Sequence, residues 1–243
     1  MSFRIGDKPR RNVLVSTDQG LMIVSRWDRN HEGVGHSSWL MDHGNVSTVE
    51  VDTCIRALEG VNNPRIFDIG ANIGTYTTWM AQIFPMGRVY SFEPQRAVFQ
   101  MLTGNVAINN LYNVYTYNMG LGEENTYVEF KEPNYFNYCD FGTFTLNTQE
   151  HVERTEDIMV VEVRTLDSFI DLHKIDRADL LKIDVEGMDM AVLRGAQQTI
   201  QKFLPKIFIE HSNNVVSIKD QILDFLDPYG YTFEIVGNNI IAK

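Results

Sequence analysis

The stretch DIGANIG, residues 68–74, ends a short apolar strand and runs directly into the helical pattern TYTTWMAQIF of residues 75–84. Glycines at a strand end let the backbone approach a ligand closely, and the N-terminus of the following helix favours a negatively charged group. In open α/β sheets the ligand binds at the carboxyl ends of the strands. The stretch therefore predicts a strand, a ligand-binding turn and a helix in succession.

The alternation of strand and helix continues toward the C-terminus. The predicted strands are RVYSFE (88–93), VYTYNM (114–119), LLKID (180–184) and KIFIEH (206–211). After RVYSFE, Pro94 is expected in the first turn of a helix. TYVEF and MVVEVRT predict an antiparallel extension, and YTFEIV and IIAK predict a terminal hairpin. The pattern as a whole predicts an α/β fold with a doubly wound, mostly parallel sheet that helices cover on both faces.

The first 60 residues have a different pattern. Residues 13–24 predict a hairpin with its turn at Asp18-Gln19-Gly20. A helix is expected to begin at Ser47, because Ser47 and Glu50 form a Ser-x-x-Glu capping box, and to stop at Gly60. We therefore expect a small N-terminal β-hairpin and helix extension, residues 1–60, packed on a main domain of residues 61–243.

Composition limits the class of protein. The 243 residues suit one α/β core, and 21 Lys and Arg against 32 Asp and Glu give a net charge of −11. This charge argues against broad nucleic-acid binding, and no apolar run is long enough to predict a membrane span. The N-terminal residues lack the apolar stretch of a signal peptide. Because Cys54 and Cys139 are also too few for a disulfide framework, a cytoplasmic location is expected.

Glu93 ends the second strand of the main domain, where nucleotide-binding folds place an acid that accepts hydrogen bonds from ribose hydroxyls. The glycines do not follow the dinucleotide pattern G-x-G-x-x-G, because Asn72 takes the middle position and the last glycine comes one residue early. Asp68 at the strand tip suits a cationic amino group instead. The pattern favours a nucleoside with an amino group, and the alternative is a structural turn followed by a surface Glu.

Five separated blocks resemble the FkbM family of S-adenosylmethionine-dependent methyltransferases, namely DIGANIG, FEP, RTLDSF, LLKIDVEGMDMAVLRGA and IEH, in that order. The resemblance covers the chain from Ile66 to the C-terminus. It implies a Rossmann-like, seven-stranded sheet with an antiparallel last strand, S-adenosylmethionine as cofactor, and methyl transfer mostly to a hydroxyl oxygen. One departure is Asp189, where family members usually have Glu.

The resemblance also implies which residues bind the cofactor. Residues of the loop would line the methionine end, Glu93 would hold the ribose, and the residues after the third strand would lie by the adenine. The set implied in this way is Asp68, Gly70, Ala71, Asn72, Gly74, Glu93, Met119 and Gly120.

Asp184 and Glu186 follow the strand LLKI, two residues apart, so they share one face if the strand stays extended. Lys182 falls on the same face and needs a charged partner, which Asp68 on the neighbouring strand is expected to supply. We expect Asp184 to border the methionine end of the cofactor and Glu186 to start, and cap, the next helix. The alternative is a structural ion-pair cluster.

His211 ends the fifth predicted strand, beside LLKID in this topology. An attacking hydroxyl must lose its proton, and a histidine that titrates near neutral pH suits that task. His211 is the expected catalytic base with Glu186 as its substitute, and Asn213 and Asn214 would orient the acceptor. The alternative is a magnesium site built from Asp184, Glu186, His211 and Asn213. No metal-ligand spacing is evident, so we expect no metal.

Two other segments are candidates for covering the site. His36 and His43 lie in a segment that would reach the cofactor, although we expect them on the surface. Residues 134–144, NYFNYCDFGTF, place aromatic rings between Asn and Asp side chains. Such a composition suits contact with a sugar, and it suits packing of the loop on its own domain equally well.

The acceptor is expected to be a small molecule or a glycan, such as a sugar or a secondary metabolite. Two alternatives stay open, which are methyl transfer to a nitrogen and a domain that binds the cofactor without catalysis. Acceptor choice is expected to reside in the N-terminal segment and the aromatic stretch.

Overall fold

The computed structural model describes residues 11–30, 32–33, 35–45, 48–143, 154–210 and 216–243. Several residues singled out above lie outside these ranges, namely Ser47, Phe144, His211, Asn213 and Asn214. Within the described ranges, no helix is both long enough and apolar enough to cross a bilayer.

The strands of the described chain are β1 (Asn12–Thr17), β2 (Gly20–Ser25), β3 (Arg65–Ile69), β4 (Arg88–Phe92), β5 (Val114–Tyr117), β6 (Gly120–Leu121), β7 (Thr126–Pro133), β8 (Arg154–Arg164), β9 (Leu180–Ile183), β10 (Lys206–Glu210), β11 (Phe233–Val236) and β12 (Asn239–Ala242). The α-helices are α1 (His36–His43), α2 (Thr48–Ala57), α3 (Thr75–Ile83), α4 (Arg96–Ile108), α5 (Leu166–Leu172), α6 (Asp189–Gly195), α7 (Gln197–Phe203) and α8 (Val216–Leu226). A short 3₁₀ helix, Asp227–Tyr229, follows α8.

The main sheet has seven strands in the order β11-β12-β10-β9-β3-β4-β5. Strand β12 pairs antiparallel with β10 and β11, whereas every pair from β10 to β5 is parallel. The chain first builds outward from β3 through β4 to β5 and then returns to β9 on the other side of β3. That reversal creates the crevice where open α/β sheets bind ligands. The predicted doubly wound sheet with an antiparallel last strand is confirmed.

Helices cover both faces of the main sheet because its central strands are apolar on both sides. In β3, Phe67 and Ile69 pack on one face with Phe169 of helix α5. Ile66 of the same strand packs on the opposite face with Met80 of helix α3. The alternating side chains of one strand therefore join two separate apolar cores.

The N-terminal hairpin, β1 and β2, packs against helix α4 outside the main sheet. Asn105 of α4 accepts a hydrogen bond from the Ile23 N–H (2.5 Å) and donates to the Ile23 carbonyl (3.1 Å). Asn109 does the same with the backbone of Leu21 (3.0 and 2.7 Å). These side chains satisfy backbone groups that an edge strand would otherwise leave to solvent. The predicted hairpin is confirmed, and the division into domains at residue 60 stays a prediction.

The antiparallel extension is a separate three-stranded sheet, ordered β6-β8-β7, in which β7 and β8 are antiparallel as predicted.

Helix α4 begins later than the sequence suggests. The proline rule places Pro94 in its first turn, but the helix starts at Arg96 and the N-cap Gln95 is extended, with φ −73° and ψ 109°. In this conformation the Gln95 N–H donates to the Glu93 carboxylate (2.8 Å). That hydrogen bond overrides the preference of proline for a helix start.

Candidate active site

A cavity of about 340 Å³ opens at the carboxyl ends of β3, β4 and β9, at the crevice of the sheet. Its size lies within the range of small-molecule sites. Predicted cofactor-binding residues that line it are Gly70, Asn72, Glu93, Met119, Gly120 and Asp184. The structure thus brings together residues from four loops, of which the first and the last are more than 100 residues apart in the sequence.

Glu93 is fixed in orientation at the floor of this cavity, where it is 4% exposed. Its Oε2 accepts a hydrogen bond from the Asn72 N–H (3.0 Å), and its Oε1 accepts one from the Gln95 N–H (2.8 Å). Burial raises the pKa of Glu93 to about 7, although the two amides act in the opposite direction. Each carboxylate oxygen can accept two hydrogen bonds. The ionised side chain therefore keeps room for two further donors.

Close backbone contacts shape the loop of residues 70–74. The N–H groups of Gly70 and Ala71 donate to the Phe92 carbonyl (3.1 and 2.9 Å), which couples the loop to β4. Gly70 has a φ of +81°, and a Cβ there would overlap the carbonyl oxygen of Asp184. Gly74 has a φ of +88°, and a Cβ there would meet a helix α4 side chain at 2.5 Å. Ala71 and Gly74 do not line the cavity, and they set the path of the loop.

Asp68 lies behind the cavity wall. It is fully buried, its Oδ2 accepts a hydrogen bond from the Thr77 hydroxyl (2.6 Å), and its Oδ1 is 3.5 Å from Lys182 Nζ. The predicted pairing of Lys182 with Asp68 is confirmed, and Asp184 Oδ2 is closer still, at 3.0 Å. Burial alone would lower the pKa of Lys182, but the negative charges of Asp184 and Asp68 have a larger effect and raise that pKa. Asp68 does not line the first cavity, and its assignment to the methionine end of the cofactor stays a prediction.

The expectation that Glu186 starts and caps the next helix is wrong. Helix α6 begins at Asp189, and Glu186 and Gly187 have φ values of +48° and +87° in the turn before it. Two consecutive left-handed residues turn the chain out of β9, so Glu186 lies exposed at the cavity mouth. Partial burial, and then the negative charges of Asp184 and Glu210, raise the pKa of the Glu186 carboxyl. Because the side chain is exposed, surrounding water screens these charges and reduces the shift.

The predicted base His211 and the neighbouring Asn213 and Asn214 lie outside the described residues. The preceding residue, Glu210, ends β10 and lines the cavity. Strand β10 is parallel and adjacent to β9 as expected, so Glu210 and Asp184 lie at the same edge of the sheet. Within the described ranges, no group of three or more His, Cys, Asp or Glu side chains is arranged to hold a metal ion.

A single buried carboxylate brings two distant segments over the cavity. Asp28 is fully buried, and its Oδ2 accepts hydrogen bonds from the Ser37 N–H (2.9 Å) and hydroxyl (2.6 Å). Its Oδ1 accepts one from the Phe141 N–H (2.9 Å). Gln95 donates to the Phe141 carbonyl (2.9 Å) and accepts from the Tyr135 hydroxyl (3.2 Å). These bonds hold helix α1 and the aromatic stretch against the site.

His36 lines the cavity, which corrects the expected surface position. Its Nε2 is 2.7 Å from the Thr75 Oγ1. Burial and then the charge of Lys182 lower the pKa of His36, so the imidazole is neutral at pH 7. His43, by contrast, is exposed and stacks on Trp39 with ring centroids 4.0 Å apart. No local signal marks His36, because its contacts join segments that the sequence keeps apart.

The aromatic stretch packs on the N-terminal extension and also reaches the cavity, and its contact with a sugar stays a prediction. Phe141 lines the cavity together with Asp140 and Gly142. Phe136 is 65% exposed, and Tyr138 packs on Trp27 of the N-terminal extension with ring centroids 4.4 Å apart. Packing against the extension therefore explains some of these rings, whereas residues 140–143 line the cavity.

A second cavity, of about 420 Å³, adjoins the first. The two share the lining residues His36, Trp39, Asp184 and Glu210. The remaining lining of the second cavity, from helices α2 and α3 and strand β9, consists of Glu50, Val51, Thr75, Tyr76 and Lys182. The N-terminal extension therefore contributes directly to the site.

The sequence matches the model of the methyltransferase FkbM domain over residues 68–233. The chain belongs to this family. The FkbM methyltransferase described here is similar to Methyltransferase 1 of Beauveria bassiana, with 28% identity over 173 residues, 66% of this chain and 69% of the relative. It is also similar to the hexuronic acid methyltransferase AglP of Haloferax volcanii, with 26% identity over 136 residues, 56% of this chain and 51% of the relative.

The fold of this FkbM methyltransferase is similar to that of the solved methyltransferase FkbM from Methylobacillus flagellatus. The TM-score is 0.54 at 19% identity, and the match covers 74% of this chain and 44% of that structure. The chain thus spans less than half of the solved protein. The family match begins at Asp68, so His36, Trp39 and Glu50 lie before it. The first cavity is built mainly from the family domain, and much of the second comes from the N-terminal extension.

Proposed function

We propose that this FkbM methyltransferase transfers a methyl group from S-adenosylmethionine to a hydroxyl oxygen of a small molecule or glycan. The observation that carries the proposal is the orientation of Glu93. Two backbone amides hold its buried carboxylate in a cavity at the sheet crevice, with capacity left for two hydroxyl donors. The adjoining second cavity provides a place for the acceptor.

The residues of the first cavity fit this cofactor. Glu93 would accept hydrogen bonds from the ribose hydroxyls, and Met119 and Gly120 after β5 would pack beside the adenine. Gly70 and Asn72 would lie along the methionine end, where the loop backbone is open to the cavity. The cofactor supplies a methyl group activated by a positively charged sulfur. The chain itself contributes positioning of the acceptor and removal of its proton.

The wall shared by the two cavities is where a base would act. His36 lines both cavities, and its neutral imidazole has no hydrogen bond in the described chain besides that of Nε2 with Thr75. In the tautomer in which Nε2–H donates to Thr75, Nδ1 would be the nitrogen that accepts the proton of an acceptor hydroxyl. His211 and Glu186 stay predicted bases from the sequence, and the geometry adds His36 to them.

The acceptor class follows from the polar lining and from a relative. The Haloferax relative is named as a methyltransferase of a hexuronic acid. In this chain Trp39 lies on the shared wall and is 49% exposed. A flat aromatic ring beside hydrogen-bonding side chains suits a polyhydroxylated acceptor, whose ring face stacks while its hydroxyls bind. We therefore place sugars and other polyols first among the acceptors.

Two measurements test the proposal. Calorimetry with the full chain should show binding of S-adenosylmethionine and its demethylated product, and little binding of nicotinamide dinucleotide. Incubation with methyl-labelled cofactor and a panel of polyols should then yield O-methyl products, identified by NMR. Tight dinucleotide binding without a response to S-adenosylmethionine would refute the proposal. An N-methyl product would favour nitrogen transfer, and binding without turnover would favour a non-catalytic domain.

A further inference from the structure

The second cavity carries an excess of negative charge. The carboxylates of Glu50, Asp184 and Glu210 line it, together with Lys182. Lys182 is already neutralised by Asp184 (3.0 Å) and Asp68 (3.5 Å). Glu50 has a long hydrogen bond from an asparagine amide (3.4 Å), and neither it nor Glu210 has an ion pair within the described chain. Among the described residues, Lys182 is the positive charge that lines this cavity, and it is shared with Asp184 and Asp68, so the carboxylates remain in excess.

Burial and neighbouring carboxylates raise the pKa of both Glu50 and Glu210, and Lys182 acts in the opposite direction on each. Burial raises the pKa of Glu50. Burial and then the charges of Asp184 and Glu50 raise the pKa of Glu210 to about 7, an effect that solvent weakens because this side chain is exposed. A cation bound between them would favour the ionised carboxylates, whereas a carboxylate-bearing ligand would add to the repulsion.

Two aromatic side chains, Tyr76 and Trp39, line the second cavity beside the carboxylates. Tyr76 is 7% exposed, and its hydroxyl has no oxygen or nitrogen partner among the described residues. Its polar neighbour is the Cys54 thiol, a weak hydrogen-bonding group. This hydroxyl is closed to solvent and contacts Cys54, so the ring of Tyr76, and not its hydroxyl, faces the cavity. Trp39 stacks one face on His43 and is exposed elsewhere, and aromatic faces attract cations.

We propose that the second cavity is the acceptor site and that it selects an acceptor with a protonated amino group, held between Glu50 and Glu210. The inference rests on the proposed methyl transfer, because the shared wall would place the acceptor hydroxyl beside the methyl donor. The exposed ring of Trp39 would pack on the acceptor. The acceptor class is therefore an amino sugar or another aminated polyol. A uronic acid, for which the Haloferax relative is named, would be excluded by charge.

The test uses matched ligands that differ in one group. Each triplet contains an amine, an alcohol and a carboxylate on one carbon skeleton. The first is 6-amino-6-deoxyglucose, glucose and glucuronate, and further triplets cover other cyclic and linear polyols. Binding is measured by calorimetry or saturation-transfer NMR with the demethylated cofactor present. We expect at least one amine to bind about tenfold more tightly than its alcohol, with no binding of the carboxylate.

Isosteric variants assign the effect to the cavity. Glu50→Gln should weaken amine binding about tenfold or more without changing affinity for S-adenosylmethionine, because Glu50 lines the second cavity and not the first. Glu210→Gln should weaken amine binding similarly and provides a second variant if the first does not fold. The control is Glu129→Gln, since Glu129 is exposed on β7 and lines neither cavity.

Three results would overturn the amino-acceptor proposal and leave the methyl-transfer proposal standing. In the first, carboxylates or alcohols bind as tightly as the matched amines. In the second, both glutamine variants bind the amine with wild-type affinity. In the third, the protein binds S-adenosylmethionine but binds none of the amines. Absence of S-adenosylmethionine binding would instead overturn the methyl-transfer proposal.

Discussion

Replacing Glu93 with Ala should separate cofactor binding from stability. The wild-type carboxylate accepts two backbone N–H bonds and keeps two acceptor positions for ribose hydroxyls. Hydrogen bonds to a charged group contribute ~1.5–3 kcal/mol each, and water that enters the enlarged cavity would replace part of this. We therefore expect a net loss of ~1.5–3 kcal/mol in binding free energy, which is a roughly 10- to 150-fold weaker affinity for S-adenosylmethionine.

The same substitution should leave the protein folded, because two contributions oppose each other. Loss of the carboxylate leaves the N–H groups of Asn72 and Gln95 without their charged partner, at ~1–3 kcal/mol each where water does not replace it. However, a pKa raised from 4.5 to about 7 means that above pH 7 the ionised form of Glu93 is ~3 kcal/mol less favourable in the folded protein than its protonated form. Removing the carboxyl relieves that cost of ionisation, so the free energy of unfolding at pH 8 should change by no more than a few kcal/mol.

Calorimetric titration and thermal denaturation of wild type and Glu93→Ala measure both effects, with the exposed Glu129→Ala as control. A folded Glu93→Ala protein with wild-type affinity for S-adenosylmethionine would refute the assignment of Glu93 to the ribose.

The pH dependence of stability and of cofactor affinity is a second check. The folded state holds a proton on Glu93 that the unfolded state releases between pH 4.5 and about 7, so this group lowers stability as pH rises through that window. Affinity should fall as pH drops below about 7, up to about tenfold per pH unit, and this dependence should disappear in Glu93→Gln.

The remaining predictions concern the loop, the base and the metal. Gly70→Ala should destabilise the protein by ~1–3 kcal/mol in denaturant unfolding, because the new Cβ would overlap a backbone carbonyl at the end of β9; Gly187→Ala, at a similar φ but in open space, should cost less. His36→Gln, His211→Ala and Glu186→Gln should be compared for turnover with cofactor affinity measured in each, and loss of the true base should lower turnover ~10²–10⁴-fold. Normal turnover in all three would contradict a general base at these positions. Chelation should leave turnover unchanged, and loss that magnesium restores would reveal a metal requirement.

The parts of the site that the sequence could predict were its local backbone features and one pairing that followed from the order of the strands. The loop of residues 68–74 and the acid that ends β4 are local features, because glycine positions and strand ends constrain the backbone directly. The pairing of Lys182 with Asp68 also followed, since a lysine in a central strand needs a partner and the topology supplied one. Local rules failed where a nearby group competed, as when the Glu93 carboxylate holds Gln95 extended and delays helix α4.

The sequence by itself determined the order of strands and helices, the doubly wound sheet, the hairpin at each end and the position of Glu93. Apolar periodicity and turn residues specify these features, because they act over a few neighbouring residues. Only the tertiary structure decided that Asp68 lies behind the cavity wall and that His36 lies on it. It also decided that the extension supplies a second, acidic cavity. These features depend on segments that meet only in the folded chain. Asp28, for example, accepts a hydrogen bond from the N–H of Phe141, which lies 113 positions further along the sequence. Periodicity shows which face of an element is buried, but packing of the whole chain determines which loops share a wall.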